Sequence, residues 1–195
     1  EYALTNDQRN QAWQTTEGYR AMFLQKIPIY ADSPSLKNGF DLSVYKAFSE
    51  DVISSLKFYS RTINSINDED VKITERLHIP SRMLRGFKKG KVGPVDQNDH
   101  VGGNYAAALG FNISLPNLLP EDMRTDVNLF LDTANLWGVD YNDVIGKSDT
   151  IRSSVGINAN VFTVIGPLNF SFAQDLSKAD SDSTESFRFS LGTTF

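Results

Sequence analysis

The sequence predicts an all-β fold, an antiparallel transmembrane β-barrel of about nine strands, and three observations carry that expectation. Apolar residues recur with a period of two rather than the helical period along most of the chain. The alternate, polar positions are rich in Gly, Ala, Ser and Asn, small residues that suit a crowded, wet barrel interior. Connections alternate in length, giving one shorter and one longer rim as in an outer-membrane barrel, although the links around 10–18 and 116–124 on the short side are not especially short. A soluble antiparallel sandwich also alternates. Its solvent face, however, favours Lys, Glu and Thr, and it gives no reason for an aromatic residue at the very end of the chain.

The clearest strand is the last one. Phe187, Phe189, Leu191 and Phe195 fall on one face, and Arg188, Ser190, Gly192 and Thr194 on the other. Leu168, Phe170 and Phe172 oppose Asn169, Ser171 and Ala173, and Val155, Ile157, Ala159 and Val161 oppose Ser154, Gly156, Asn158 and Asn160. Around position 130, Val127, Leu129 and Leu131 point outward, leaving Asn128, Phe130, Asp132 and Ala134 inward. Tyr105, Ala107, Leu109, Phe111, Ile113 and Leu115 alternate with Ala106, Ala108, Gly110, Asn112 and Ser114. Noisier strands are expected near 1–7, 19–29, 39–48 and 52–63, making four before a long central segment and five after it. Ser49-Glu50-Asp51 and Gly166-Pro167 read as tight turns, and 30–38, 138–150 and 177–185 as longer loops.

The chain is organised around the segment from Lys72 to Asn104, part of a loop expected at about 64–104 of a single domain covering 1–195. A loop this long in a compact domain is functional or disordered. Ile79, Met83, Leu84, Phe87 and Val92 give it apolar anchors that a disordered segment lacks.

Composition excludes several classes. With no cysteine there is neither a disulfide framework nor a thiolate metal site, and the two histidines, His78 and His100, share this one loop, where they read as solvated. The net charge of -5 lacks the basic field of a nucleic-acid binder. No apolar run is long enough for a transmembrane helix, which leaves barrel strands open. Lys88-Lys89-Gly90-Lys91 reads as a solvated loop tip, with contact to anionic lipid or lipopolysaccharide as the sharper alternative. There is no G-x-S-x-G, no Walker loop and no Ser/His/Asp set on neighbouring strands, so the chain reads as a non-enzyme without cofactor or metal. It opens on Glu1 without a signal peptide, as a piece of a longer polypeptide would.

Three motifs in order are then informative: Leu84-Arg85-Gly86-Phe87 followed by Gly93-Pro94, Phe130-Leu131-Asp132-Thr133-Ala134, and the ending Phe187-Arg-Phe-Ser-Leu-Gly-Thr-Thr-Phe195. Together they resemble the V/I-R-G-F/Y loop, the F-x-D-x-G strand and the terminal targeting signal of the BamA-type bacterial surface antigen family. Two-partner secretion transporters and the chloroplast and mitochondrial import barrels are its wider relatives. The resemblance spans the chain, which looks like the C-terminal half of a sixteen-stranded barrel. It departs from the pattern at Ala134, where the motif has glycine, and at Gly110, where the family often carries a second acidic partner for the loop arginine.

The resemblance implies that the loop folds back into the lumen and that Arg85, Gly86 and Phe87 dock on Asp132 and Phe130. An inward Asp132 fits this, because a lipid-facing carboxylate is costly, and a guanidinium matches a carboxylate as a planar fork. Lumen water is expected to weaken the pair to roughly 1–4 kcal/mol. The function implied is assembly of outer-membrane barrels in the bacterial outer membrane, with unfolded client proteins, accessory lipoproteins, lipid and lipopolysaccharide as partners. The terminal strand (Phe187, Phe189, Leu191, Gly192, Phe195) serves as signal and seam. A transporter passing one exoprotein through the lumen is the alternative, and a passive porin fits less well.

Overall fold

The computed structural model describes residues 1–28, 34–67, 69–147, 150–163 and 166–191. Its strands are β1 (Tyr2–Asp7), β2 (Gly18–Lys26), β3 (Ser35–Ser49), β4 (Val52–Ser65), β5 (Val95–Asp96), β6 (Asp99–His100), β7 (Tyr105–Leu115), β8 (Thr125–Trp137), β9 (Arg152–Thr163), β10 (Gly166–Ser177) and β11 (Phe187–Leu191). Nine of them form one antiparallel sheet in the order β1-β2-β3-β4-β7-β8-β9-β10-β11, each beside its neighbour in sequence once the β5-β6 hairpin of the central loop is set aside. β1 and β11 are the two edges. Up-and-down connectivity of this kind is what a barrel wall requires, because in lipid every backbone group must find a partner on an adjacent strand.

The strand count and the four-plus-five division match the sequence reading, while several boundaries differ. β3 begins at Ser35 rather than 39, with Ser35 opposite Ser65 and Asn38 opposite Thr62. This largely polar stretch has no apolar alternation and is extended by its backbone ladders, to β4 throughout and to β2 at Lys37 and Asn38. Gly166-Pro167 is no turn: both residues open β10, opposite Thr163 and Phe162. Proline tolerates that place because it stands at a strand start. Gly192 and Phe195 of the expected seam lie outside the described residues, as does Ile29 at the end of the second expected strand.

The two faces of the sheet differ as the alternation requires. Leu109, Phe111, Leu129, Leu131, Val155, Ile157, Phe172, Phe187 and Phe189 are exposed on the bare face. Ala106, Ala108, Phe130, Asp132, Ala134, Leu136 and Ser154 are buried on the other. What buries them is the central loop. Ile79, Met83, Leu84, Phe87 and Val92 pack against Tyr59, Ala106, Ala108, Ala134 and Leu136 as one core. The alanines matter here, because small side chains let loop side chains approach the sheet closely. The same loop touches β3 through Ser35 and Glu75 and reaches β11 through Arg188, near opposite ends of the strand order. One loop spans that distance only if the sheet curls around it.

The faces make a test in the parent protein. Leu129→Arg and Ile157→Arg put a cation on the bare face and are expected to cost about 2–4 kcal/mol near the bilayer midplane. Asn128→Arg and Asn160→Arg, on the covered face, are expected to assemble with smaller losses. Equal losses in both pairs, measured by heat-modifiable folding in membranes, would put the alternation out of register.

Candidate functional site

The site is built where the loop crosses β8 and β9. A turn from Pro80 to Met83 (Met83 N to Pro80 O, 2.8 Å) brings Leu84 and Phe87 into the core, 2% and 1% exposed, and fixes Arg85 and Gly86 between them. Gly86 takes φ +87°, and a Cβ there would lie 2.9 Å from the Ala173 Cβ, so both backbone strain and space demand glycine. Arg85 then faces Asp132. Its Nε donates to Oδ2 at 2.7 Å, its Nη2 to Oδ1 at 2.7 Å, and its backbone N–H to Oδ2 at 3.0 Å. The carboxylate therefore accepts three hydrogen bonds from one residue 47 positions away in sequence. Nη2 also donates to Asn112 Oδ1 at 2.8 Å, and the Ser154 hydroxyl donates to the Arg85 carbonyl.

Beneath the guanidinium lies Phe130, its ring centroid 3.6 Å from Arg85 Cζ. That stacking depends on a neighbour. Phe130 sits opposite Gly156 on β9, where a Cβ would come within 2.6 Å of Phe130 Cζ and 2.1 Å of the Phe172 carbonyl oxygen. The ring lies over the glycine backbone and presents its face to the cation. Gly110 plays a similar part on β7: a Cβ there would stand 3.2 Å from Asp132 Oδ1. The missing second carboxylate is replaced by a neutral acceptor, Asn112, two residues along the same strand.

Asp132 is only 1% exposed at its side chain and Arg85 15%. This corrects the expectation of a water-weakened pair: the apolar loop residues and the Phe130 ring exclude solvent from the carboxylate. Two further arginine–carboxylate pairs hold the surrounding loops. Arg152, at the start of β9, donates to Asp182 in the β10–β11 connection at 2.8 and 3.2 Å, with both side chains almost fully buried. Asp182 also accepts from the backbone N–H of Gly93 in the central loop at 3.3 Å. Arg76 pairs with Asp140 after β8, and Asp140 accepts from Val71 N–H at 2.6 Å. At the base of the loop, the Ser35 hydroxyl donates to Glu75 at 2.6 Å and holds that carboxyl below its usual range.

Of the residues that the sequence singled out, Arg85, Gly86, Phe87, Phe130 and Asp132 come together at one place. Phe187, Phe189 and Leu191 do not join them; they lie on the bare face, with Phe187 against Phe172 at 4.8 Å and Phe189 against Phe170 at 5.2 Å. Sequence reasoning missed Asn112, Ser154, Gly156, Arg152 and Asp182. Arg152 was discoverable, since it shares the inward phase of Ser154 and an inward arginine needs a counter-charge. Lys88, Lys89 and Lys91 are exposed at the loop tip, and so is His78, whereas His100 is half-buried rather than solvated. Among the described residues no group of three or more His, Cys, Asp or Glu could hold a metal ion.

Comparison with known proteins finds relatives of the chain as a whole. A family model described as the Omp85 superfamily domain matches residues 1–195. An outer membrane protein assembly factor BamA from Neisseria meningitidis serogroup B is 29% identical over 139 residues, 57% of this chain and 17% of that protein. A BamA from Neorickettsia risticii is 25% identical over 183 residues, 91% of this chain and 24% of that protein. The human sorting and assembly machinery component 50 homolog is 26% identical over 154 residues, 73% of this chain and 32% of that protein. The chain thus spans a third or less of the length of these relatives. Among solved structures, BamA from Haemophilus ducreyi lacking POTRA domains 1-3 superposes with a TM-score of 0.85 at 23% identity, over 96% of this chain and 40% of that one.

The pair makes two predictions. Arg85→Ala and Asp132→Ala each leave a buried charge without its partner and are expected to cost about 3–5 kcal/mol. The double variant is expected to cost less than the sum by up to about 3 kcal/mol. Additive losses would mean that the two side chains do not act as a pair. Gly156→Ala is expected to displace the Phe130 ring, cost about 1–3 kcal/mol by overpacking, and speed protease cleavage at Lys88–Lys91. Cleavage at the wild-type rate would remove Phe130 from the support of the loop.

Proposed function

The chain belongs to the Omp85 superfamily, and we propose that it forms the wall of a bacterial outer-membrane barrel that folds and inserts client barrel proteins. The observation that carries this reading is the Arg85–Asp132 pair, which fixes a long loop on the covered face of a nine-stranded sheet. A passive pore has no need of a loop held by three arginine–carboxylate pairs across its wall. Relatives named as assembly factor and as sorting and assembly machinery support the same reading.

In this reading the chain acts by surface rather than by bond-making, with no cofactor and no catalytic residue. β11 is a short sheet edge whose described part is five residues long, with Phe187, Phe189 and Leu191 turned toward lipid. An edge strand offers unpaired backbone donors and acceptors, so an unfolded client strand can add to it by β-augmentation. The Arg85 loop keeps the inner end of that wall in one shape while the edge exchanges partners. Client barrels, accessory lipoproteins, lipid and lipopolysaccharide are the partners that this role requires.

Depletion of the parent protein in its own host tests the role. The expected result is loss of folded, heat-modifiable forms of many outer-membrane barrels, restored by wild type and poorly by Asp132→Ala. Normal levels of those barrels together with loss of a single secreted exoprotein would overturn this reading in favour of a transporter.

A further inference from the structure

The terminal strand is tied to the Arg85 loop by a contact that neither the loop motif nor the strand signal accounts for. Residues just before β11 run beside the loop as a short antiparallel pair: Phe87 lies opposite Thr184, Glu185 N–H donates to the Gly86 carbonyl at 2.9 Å, and Lys88 N–H to the Ser183 carbonyl at 2.9 Å. In such a pair the Phe87 carbonyl points away from its partner strand. Arg188, the first inward residue of β11, fills that place. Its Nη2 donates to the Phe87 carbonyl at 2.6 Å and its Nη1 to the Ser81 carbonyl at 3.3 Å. Glu185 accepts from the same guanidinium at 2.9 Å and holds it in position. Two residues before Thr184 the connection is fixed again, through Asp182, Arg152 and the Gly93 N–H.

We propose that Arg188 is a positioning residue that couples docking of the Arg85 loop to the pairing of β11. The physical reason is the imbalance of holds on that strand. On the sheet side β11 has five register positions against β10, from Phe172 opposite Phe187 to Leu168 opposite Leu191. Its outward Phe187 and Phe189 pack on Phe172 and Phe170 of β10, on the face away from the loop, so they hold the strand to the sheet and not to the loop. The inward guanidinium is the charged hold, and both carbonyls it binds belong to the loop that Arg85 fixes on Asp132. When the loop leaves β8, those carbonyls leave with it, and β11 keeps only its ladder and its two aromatic pairs to β10. The proposal rests on reading β11 as the strand that meets clients, but the coupling is measurable without any client.

Amide hydrogen exchange of the purified parent protein in detergent, followed by mass spectrometry of peptides covering 81–91 and 187–191, is the test. Arg85→Ala is expected to speed exchange about tenfold in 81–91 and by a similar factor in 187–191, the scale of losing a charge-assisted hydrogen bond. Arg188→Ala is expected to speed 187–191 alike. Adding Arg85→Ala to Arg188→Ala is expected to loosen 81–91 with no further change in 187–191. Arg188→Lys, which keeps the charge and some donors, is expected to recover part of the protection, and it replaces Arg188→Ala in the cycle if that variant does not assemble. Exchange in 187–191 that ignores Arg85→Ala overturns the proposal, and so does a full, additive effect of Arg85→Ala in the Arg188 variants. Client assembly is scored separately in cells: coupled exchange with normal client assembly leaves the coupling standing and strikes the assembly reading alone.

Discussion

A carboxylate buried on the inner wall of a sheet sets the terms for the rest of this structure. Asp132 is withdrawn from solvent, and an isolated charge in that place is costly by several kcal/mol. Only a partner with several well-placed donors offsets that cost, and Arg85 brings three, two from its fork and one from its own backbone. Everything near the pair follows from delivering that residue. Gly86 makes the turn, Leu84 and Phe87 sink into the core on either side, and Ser154 takes the Arg85 carbonyl. The loop stays because the charge cannot be left unpaired.

The same constraint explains where the sheet gives up side chains. Gly156 leaves room for the Phe130 ring under the guanidinium, and Gly110 leaves room for the Asp132 carboxylate. Ala106, Ala108 and Ala134 lower the wall so that apolar loop residues reach it. Glycine in a strand interior weakens the strand. Here the weakness is confined to positions where a neighbour fills the space, so burial of the loop offsets it. Ala134, which departs from the glycine of the family motif, fits this scheme, since it packs in the core without displacing the loop.

Most of the fold was legible because a membrane barrel writes its two faces into its strands, here most plainly from β7 onward. Leu129 and Leu131 against Phe130 and Asp132 is enough to set the register of β8, and the same holds for Val155 and Ile157 against Ser154. The largely polar start of β3 escaped because Ser35–Asn38 is extended by pairing to its neighbours β4 and β2 rather than by its own pattern. Gly166-Pro167 looked like a turn because its composition is that of one, while the ladder to β9 decides otherwise. At the site, Arg85 and Asp132 were readable through motif resemblance and the inward phase of β8. Asp182 was not readable at all, since a carboxylate in a polar connection carries no sign of the buried arginine it meets 30 positions earlier.

The three arginine–carboxylate pairs differ in what they join, and that difference carries the last step. Arg85–Asp132 ties the loop to a strand, Arg76–Asp140 ties its base to the connection after β8, and Arg152–Asp182 ties a strand to the connection before β11. Asp182 also takes the Gly93 N–H, so the third pair holds the loop as well as the wall. A loop fixed at one point alone could swing about that point. Fixed at three, with apolar residues packed between, it opens only as a unit, and groups that share one network lose their contacts together rather than one at a time. The wall beneath is therefore stiff where the loop covers it. Flexibility is left to the edges of the sheet, and of these β11 is the one that the loop itself holds through Arg188.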